Sequence, residues 1–574
     1  ARLSLWVDNP QLWWPNGLGS QPLYQVQVTL LAADEVLDQC SYQVGLRTIE
    51  LCQQPDAYGV SFTFVVNGVP IFAKGGNWIP SDSFPTRDTR ARLEHLIKSA
   101  AQANYNMLRC WGGGYYEDEA FYDLCDRYGI LIWQDFMFAC AAYPFTDPAF
   151  TENVRQEVLY NVRRLRQRAC LALWCGNNEM ESGWVSWNWN TPQNADLKAA
   201  DIQFFYHTLR EWLSAEDPDR PYWPSSPSSN TPHENPNSNM LGDNHLWEVW
   251  HGIQPFTFYQ TVYPRFASEF GFQSFPSMPT VATYAEPSEW NMTSYIMEHH
   301  QRCYHGNGLI IAYATRHFRL PRDFTSTVYL SQVLQAEGMR IAVEHWRRNR
   351  ERCSGAIYWQ INDCWPVASW SSIDYFGRWK LLHYASRRFF EPLLLSIQVK
   401  EDSAGIYLTN DRTSAWQGEV RWSLERLDGA VLSSGTELAL AAPLANTLVK
   451  TVHFNGSREA LRQVVLVAEL WQNDRQLAIQ VCPFVPDKHL QLADPQIKAN
   501  LQLAGDELHI TLTAASLARF VELSFDGADV VFSDNGFDLP GGRSALVTCP
   551  LPEGWDIAKA YANLQVRSLY NSYD

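Results

Sequence analysis

The chain has 574 residues, a formal net charge of −17 and 46% hydrophobic residues, so it is long enough for three or four folded domains and is not disordered. The negative charge argues against nucleic acid and anionic membranes as partners, because their phosphates would repel it. Aromatic residues make up 14% of the chain and include 24 tryptophans. Such an excess suits core packing and stacking against sugar rings about equally well.

The twelve cysteines form no CxxC pair and no Cys/His cluster at zinc spacing, and the histidines are scattered. We therefore expect no metal and no cofactor. Several cysteines lie in or beside apolar strands, where a free thiol is a small buried hydrophobe, which favours a reducing compartment. No signal-peptide pattern and no membrane-spanning apolar run is visible. These features predict a cytoplasmic protein with no membrane partner; periplasmic and lysosomal locations, and a homodimer, are left open.

The predicted elements begin with β-structure. Polar and apolar residues alternate over 23–30 and again over 41–51, and turn-forming pairs such as Asn16-Gly17 separate the runs. Residues 1–66 are therefore predicted to form a small immunoglobulin-like β-sandwich.

Strands and helices alternate from residue 67 to about 391. This pattern predicts a (β/α)8 (TIM) barrel with insertions after strands four, five and seven. A doubly wound open sheet is the alternative, but no Gly-rich phosphate loop follows the first strand. The predicted strands cover 71–78, 106–111, 130–136, 170–175, 222–225, 245–250, 265–269 and 355–361.

After the barrel the chain returns to alternating β patterns. Residues 392–485 and 486–574 are predicted to form two further immunoglobulin-like sandwiches, joined by a proline-flanked linker at 483–486. The expected fold class is multidomain, α/β plus all-β, with a central TIM barrel flanked by sandwiches.

Two of the predicted barrel strands end in a glutamate. The apolar run 171–175 stops at Gly176 and is followed by two asparagines and Glu179, and the seventh strand ends at Glu269. The carboxyl ends of barrel strands face one mouth, so both carboxylates should meet there. Paired carboxylates hydrolyse glycosidic bonds, and about 5–5.5 Å between them is the spacing of retaining enzymes.

The roles of the carboxylates follow from their neighbours. Glu181 competes with Glu179 for the acid/base role, but a carboxylate at that depth is often only a helix-dipole partner. Asn178 favours Glu179, because an amide directly before the acid can reach the sugar hydroxyl beside the anomeric carbon. Glu179 is therefore predicted as acid/base and Glu269 as nucleophile.

Further polar and aromatic residues are predicted at the same rim. Three glycines at 112–114 can let the backbone approach a ligand closely. A single tryptophan more often belongs to the core than to a binding site, and we take Trp111, Trp187 and Trp365 as exceptions. The sequence has no GxSxG elbow for a serine hydrolase. The predicted substrate-binding residues are Asn178, Trp111, Trp187, Trp365, Arg109, His245, Trp247, Asn77 and Asp135.

The motifs at 10–17, 74–82, 109–114, 174–179 and 268–274 together resemble the β-mannosidases of glycoside hydrolase family 2. The resemblance runs along essentially the whole chain. It implies an exo-acting, retaining enzyme that releases β-linked mannose from the non-reducing ends of glycans. By motif, Glu179 corresponds to the acid/base and Glu269 to the nucleophile, while Asn178, Trp111, Trp187 and Trp365 match the mannose subsite.

The chain departs from that family at its beginning. Family members normally carry an N-terminal jelly-roll domain that contributes a carboxylate to the sugar pocket, whereas this sequence starts at the second domain. The resemblance therefore leaves open a sugar-binding fragment with little activity. A different exo-glycosidase of the family, of the β-galactosidase, glucuronidase or glucosaminidase type, is the other alternative, because fold does not settle substrate.

Overall fold

The computed structural model describes residues 4–454 and 456–573. It divides into two compact units. The first contains residues up to Trp247 together with Thr261–Phe270 and Asn349–Ile361, and the second contains Glu248–Gln260, Gly271–Arg348 and the chain from Asn362 onward.

The first unit is built around a sheet of eight parallel strands. The first strand pairs with both the second and the eighth, so the sheet curls round on itself, as a (β/α)8 barrel requires and an open doubly wound sheet does not. The expected fold class is thus confirmed. The strands are Ala73–Trp78, Met107–Cys110, Leu131–Asp135, Leu171–Cys175, Tyr222–Trp223, Asn244–Leu246, Ala267–Phe270 and Gly355–Tyr358.

Asp243 bridges the fifth and sixth strands, between which no ladder of backbone hydrogen bonds runs in the described residues. Its Oδ1 accepts from Trp223 Nε1 at 2.8 Å, and its Oδ2 accepts from Ser226 Oγ at 2.6 Å. A buried carboxylate therefore joins these two strands through side chains.

The interior of the barrel is filled by large aromatic rings from alternate strands. Trp133, Trp223 and Phe266 belong to or adjoin strands three, five and seven, the pattern of a layered barrel core. Phe62, from the segment before the barrel, lies against all three, with ring centroids 5.9, 4.9 and 5.4 Å away. This fully buried ring is thus part of the aromatic core of the barrel.

The segment before the barrel is β-structure. Its longest strands, Tyr24–Ala32 and Glu35–Val44, form a hairpin that is exposed along most of both strands. Shorter strands are Ile49–Cys52, Thr63–Val66 and Val69–Pro70 in one sheet and Pro55–Asp56 with Gly59–Val60 in another.

The helices of the first unit follow the barrel strands. Arg90–Gln102 begins at Thr89, whose hydroxyl accepts from Arg92 N, and Glu119–Tyr128 ends at Gly129 in the left-handed conformation. The others are Pro148–Leu165, Met180–Ser186, Ala195–Gln203 and Leu209–Glu216.

The second unit combines helices with antiparallel sheets. A three-stranded and a four-stranded sheet share one buried apolar cluster, as in a sandwich, and two three-stranded sheets follow. Its helices are Met278–Val281, Tyr295–His299, Gly306–His317, Phe324–Arg348, Leu381–Phe389 and Ile557–Asn563. Its strands are Leu393–Val399, Ser403–Asn410, Trp416–Arg426, Val431–Ala441, Ala445–His453, Val464–Gln472, Arg475–Pro483, Lys498–Ala504, Glu507–Thr513, Ala518–Phe525, Phe537–Leu539, Ser544–Pro550 and Leu564–Arg567.

All twelve cysteines lie in the described part of the chain and are present as free thiols. Within that same part, none of the helices combines the length and the apolar character that crossing a bilayer demands.

Candidate active site

Arg109, at the end of the second barrel strand, is the hub of a fully buried polar network. It donates to Asp135 through Nε at 3.3 Å and Nη2 at 2.9 Å. Nη1 donates to Asn77 Oδ1 at 2.8 Å and to Glu269 Oε1 at 2.5 Å, and Nη2 also donates to Asn178 Oδ1 at 2.7 Å. These contacts use all five N–H groups of the guanidinium. Arg109 thereby ties four strand ends together.

Asn77 and Asp135 are the innermost members of this network, since both are completely buried. Asn77 Nδ2 donates to the backbone carbonyl of Ser268 at 2.9 Å. Asp135 also accepts from Trp133 Nε1 and from the backbone of Gly112, each at 3.0 Å. Their contacts orient Arg109.

Glu269 lies at the end of the seventh strand, 3% exposed. Besides the bond from Arg109, its Oε2 accepts from Trp247 Nε1 at 3.3 Å. Burial raises the pKa of Glu269 above the ordinary carboxyl range, and the positive charge of Arg109 opposes that rise. The guanidinium thus favours the ionised form that a nucleophile needs.

Glu179 is placed by an unusual turn. The fourth strand ends at Cys175 and is followed by Gly176, which packs so tightly on the carbonyl of Pro224 that a side chain there would collide with it. Glu179 then adopts φ +61°, a left-handed conformation rare for a residue with a side chain, directly before the helix Met180–Ser186. Its backbone N–H donates to Ser226 O at 2.8 Å. Such strain is often found at functional sites.

His245 lies between the two glutamates. Its Nδ1 is 2.8 Å from Glu179 Oε1 and 3.3 Å from Glu269 Oε2, and its Nε2 is 3.0 Å from Ser226 Oγ. Burial lowers the pKa of His245 to about 4, so the ring is neutral at physiological pH.

Glu179, His245 and Glu269 each have one donor or acceptor atom within 4.8 Å of the other two. Among the described residues they are the one such group that could hold a metal ion. The guanidinium of Arg109, bonded to Glu269, opposes a cation there. The expectation of no metal stays a prediction.

Trp111 lies at the rim, packed edge-on against Trp359 with ring centroids 5.2 Å apart. The glycines that follow it serve this packing. A side chain at Gly113 would collide with the Trp111 indole, and one at Gly112 would come within 2.7 Å of the Phe138 carbonyl. The glycines are explained by tight protein packing, independently of any ligand.

Trp187 and Trp365, the two remaining tryptophans predicted at the site, pack against other aromatic residues. Trp187 is 40% exposed and contacts Trp189 edge-on at 5.5 Å. Trp365 belongs to the second unit, where it stacks on His300 at 4.7 Å.

Glu181, the competing carboxylate, is buried, and its described hydrogen bonds do not include His245 or Glu269. Its Oε1 accepts from Tyr206 Oη at 2.6 Å and Ser228 Oγ at 2.9 Å. Burial raises the pKa of Glu181 to about 8.

Three further residues at the site were not predicted from the sequence. Cys140 Sγ is 3.6 Å from Glu179 Oε2 and accepts from Asn178 Nδ2 at 3.4 Å. Ser226 and Asp243 contact His245 directly or through one another. None belongs to a spacing pattern, because each comes from a loop or strand edge that only the closed barrel brings to the site.

Comparison with known proteins places the chain in a family. Residues 2–47 match the model of glycosyl hydrolases family 2, residues 402–489 a mannosidase Ig/CBM-like domain and residues 492–572 an Ig-fold domain of mannosidases. A β-mannosidase B of Aspergillus flavus is 34% identical over 578 residues, which cover 96% of this chain and 68% of that protein. The chain belongs to the β-mannosidases of glycoside hydrolase family 2.

Solved structures agree with this family. The crystal structure of a β-D-mannosidase from Dictyoglomus thermophilum superposes with a TM-score of 0.92 and 32% identity, over 98% of this chain and 68% of that one. An exo-chitosanase of Amycolatopsis orientalis has a TM-score of 0.77 at 17% identity, over 99% of this chain and 70% of that one, a likeness of fold alone. This family member therefore spans about two thirds of the length of these relatives, and it is a glycoside hydrolase.

Proposed function

We propose that this glycoside hydrolase is an exo-acting, retaining β-mannosidase that cleaves terminal non-reducing β-D-mannose residues from glycans. The observation that supports this mechanism is that the two carboxylates face each other closely: one oxygen of Glu179 and one oxygen of Glu269 lie within 4.8 Å of each other. Inverting enzymes need roughly 6.5–9.5 Å to admit a water molecule between the carboxyl groups, whereas retaining enzymes use about 5–5.5 Å.

Glu269 is assigned as the nucleophile. Its two oxygens are held by Arg109 and Trp247, so the carboxylate is oriented before substrate arrives. It attacks the anomeric carbon, the glycosidic bond breaks, and the electron pair goes to the leaving oxygen.

Glu179 is assigned as the acid/base. It gives its proton to the leaving oxygen in the first step. In the second step it takes a proton from the water that attacks the anomeric carbon. The bond from that carbon to Glu269 breaks, the carboxylate is released and mannose leaves with its β configuration. Its side chain is 17% exposed, more than that of Glu269, which suits a group that meets both water and the leaving group.

Substrate recognition is assigned to the rim around these carboxylates. Asn178 has its carbonyl oxygen bound to Arg109, which leaves its amide N–H groups facing Cys140 and the pocket. We assign it to the hydroxyl next to the anomeric carbon. Trp111, Trp187 and Trp247 are proposed to line the sugar site, with Arg109, His245, Asn77 and Asp135 behind them. The role of Trp365 stays the expectation that the resemblance gives.

We also propose limits for the domains. Sandwiches at 392–485 and 486–574 are supported by the family-model matches at 402–489 and 492–572. The sandwich at 1–66 and the barrel at 67–391 are proposed from the sequence pattern.

The test is hydrolysis of p-nitrophenyl β-mannoside, with the first product anomer followed by NMR. Release of β-mannose is expected, and α-mannose as first product would contradict retention. Faster cleavage of the matching glucosaminide, galactoside or glucuronide would contradict the substrate assignment.

A second experiment tests the nucleophile. A 2-deoxy-2-fluoro-mannosyl fluoride should label the peptide that contains Glu269, as seen by mass spectrometry. Glu269→Ala should remove both labelling and turnover, while the variant still unfolds cooperatively on heating and is therefore folded. Mannose binding without turnover in the unaltered chain would favour a sugar-binding fragment instead.

A further inference from the structure

The hydrogen bonds around His245 determine which of its nitrogens carries the hydrogen. The neutral imidazole has one N–H donor and one lone-pair acceptor, and its partners select between the two forms. Ser226 Oγ is 3.0 Å from Nε2, and Glu179 Oε1 is 2.8 Å from Nδ1.

The hydroxyl of Ser226 donates its single hydrogen to Asp243. Four donors converge on this buried carboxylate: Trp223 Nε1 and Ser228 N on Oδ1, and the hydroxyls of Ser226 and Ser268 on Oδ2. A carboxylate can only accept. The contact of 2.6 Å between Ser226 Oγ and Asp243 Oδ2 therefore uses the hydroxyl hydrogen of Ser226.

The consequence passes through His245 to Glu179. With its hydrogen directed at Asp243, Ser226 Oγ can only accept from His245, so Nε2 is protonated. Nδ1 then presents a lone pair, and its short contact with Glu179 Oε1 requires the hydrogen to come from the carboxylic acid. This is the protonation state that the first catalytic step needs.

We propose that Asp243 and Ser226 are positioning residues for the general acid: they hold the hydrogen of His245 on Nε2, so that Nδ1 receives and orients the acidic proton of Glu179. The proposal rests on the proposed function in assigning Glu179 as the acid. During the reaction the proton passes from Glu179 to the leaving oxygen, and His245 keeps its own.

The charged groups around the ring act in opposite directions on its protonation, so burial decides it. Glu179, Glu269, Arg109 and Asp243 face it: the carboxylates favour an imidazolium and the guanidinium opposes one. Burial is the largest influence on the pKa of His245 and lowers it. The ring therefore stays neutral where the enzyme works.

Asp243→Asn tests the proposal because the surrounding donors fix how the new amide must lie. Trp223 Nε1 and Ser228 N require an acceptor at the Oδ1 position, so the amide oxygen stays there and the NH2 group faces Ser226. That NH2 group donates to Ser226 Oγ, which then gives its hydrogen to Nε2. His245 should switch to the Nδ1–H form, much as an Asp-to-Asn change inverts the histidine tautomer in the serine-protease triad.

The direct measurement is a long-range 1H–15N spectrum of protein labelled with 15N-histidine at neutral pH. The His245 signals are those that disappear in His245→Gln. We expect a protonated Nε2 in the unaltered protein and a protonated Nδ1 in Asp243→Asn. A protonated Nδ1 or an imidazolium in the unaltered protein would overturn the proposal, as would an unchanged tautomer in Asp243→Asn.

Two further variants keep the experiment decisive. Ser268→Ala removes a hydroxyl from the same Asp243 oxygen without touching His245, so its tautomer should match the unaltered protein. If Asp243→Asn does not fold, Ser226→Ala removes the acceptor facing Nε2 and should end the preference for Nε2–H. Persistence of that preference in Ser226→Ala would contradict the role of the pair.

Kinetics give a second readout that a merely structural role would not move. Asp243→Asn should lose about 10²–10⁴-fold in kcat/KM on an unactivated β-mannobioside, which needs proton donation. It should lose far less on 2,4-dinitrophenyl β-mannoside, whose leaving group needs little. Equal losses on both would overturn the proposal. Failure of the unaltered chain to cleave either substrate would contradict the proposed function alone, since the tautomer is read without turnover.

Discussion

Replacing Arg109 by methionine removes the centre of the buried network while keeping most of the side-chain volume. The change leaves two buried carboxylates, Asp135 and Glu269, without their positively charged partner. It also leaves the amide oxygens of Asn77 and Asn178 without the N–H groups of Arg109. Arg109→Lys is the graded comparison, because lysine keeps the charge but has three donors in place of five and no planar fork.

The size of the effect follows from burial. Removing one partner of a buried ion pair costs about 3–5 kcal/mol, because the other charge remains unpaired in the interior. We therefore expect the free energy of unfolding of Arg109→Met to fall by about 3–5 kcal/mol. Arg163→Met removes an arginine that also pairs with a carboxylate, Glu216, but at the surface, and should change stability little.

The same substitution should alter the pH dependence of activity. Burial raises the pKa of Glu269, and Arg109 opposes that rise. Without the guanidinium the pKa of Glu269 rises further, and as the proposed nucleophile Glu269 must be ionised to attack. The acid limb of the kcat/KM profile should therefore move to higher pH in Arg109→Met and move less in Arg109→Lys.

Urea denaturation and pH–rate profiles on p-nitrophenyl β-mannoside measure the two effects. The reasoning would be refuted if Arg109→Met unfolded like Arg163→Met, or if it kept the acid limb of the unaltered enzyme.

Three further predictions concern other parts of the first unit. Phe62→Ala should lower the free energy of unfolding by about 3–5 kcal/mol, because it opens a cavity among the aromatic rings of the barrel core; exposed Tyr160→Ala is the control in the same urea series. The pKa of Glu181 is raised to about 8, so the folded state keeps a proton that the unfolded state loses above about pH 4.5. The contribution of Glu181 to the free energy of unfolding is therefore full below that pH and falls as pH rises towards 8. Glu181→Gln should make this fall shallower. Partial desolvation of the thiol and the nearby Glu179 raise the pKa of Cys140 to about 12. Iodoacetamide at neutral pH should therefore label Cys140 more slowly than Cys40, as quantified by peptide mass spectrometry, although solvent reaches both residues.

Each of these has a clear contrary result. A Phe62→Ala variant as stable as Tyr160→Ala would mean that the ring does not fill the barrel core. Identical pH–stability curves with and without Glu181 would mean that its carboxyl titrates normally in the folded protein. Equal labelling of the two cysteines would show that the Cys140 thiolate forms readily beside Glu179.

Much of the fold could be predicted from the sequence because its signals are local. Apolar runs alternating with helical periodicity indicated eight strands, and the strand endings at Glu179 and Glu269 put both carboxylates at one mouth. Element limits were less accurate: the sixth strand was expected over 245–250, whereas it spans Asn244–Leu246. Backbone pairing, and not the apolar character of 247–250, decides where that strand ends.

The sequence by itself determined the barrel and the two glutamates, since strand order and strand endings are fixed by chain order once the fold is closed. Only the tertiary structure decided what surrounds them. The five bonds of Arg109, the backbone bond from Glu179 to Ser226 and the contacts of Cys140 join residues far apart in the chain. The path from Asp243 through Ser226 and His245 to Glu179 likewise spans three strand ends. Such contacts leave no periodic pattern, because they depend on the closure of the barrel and on the direction of each hydrogen bond.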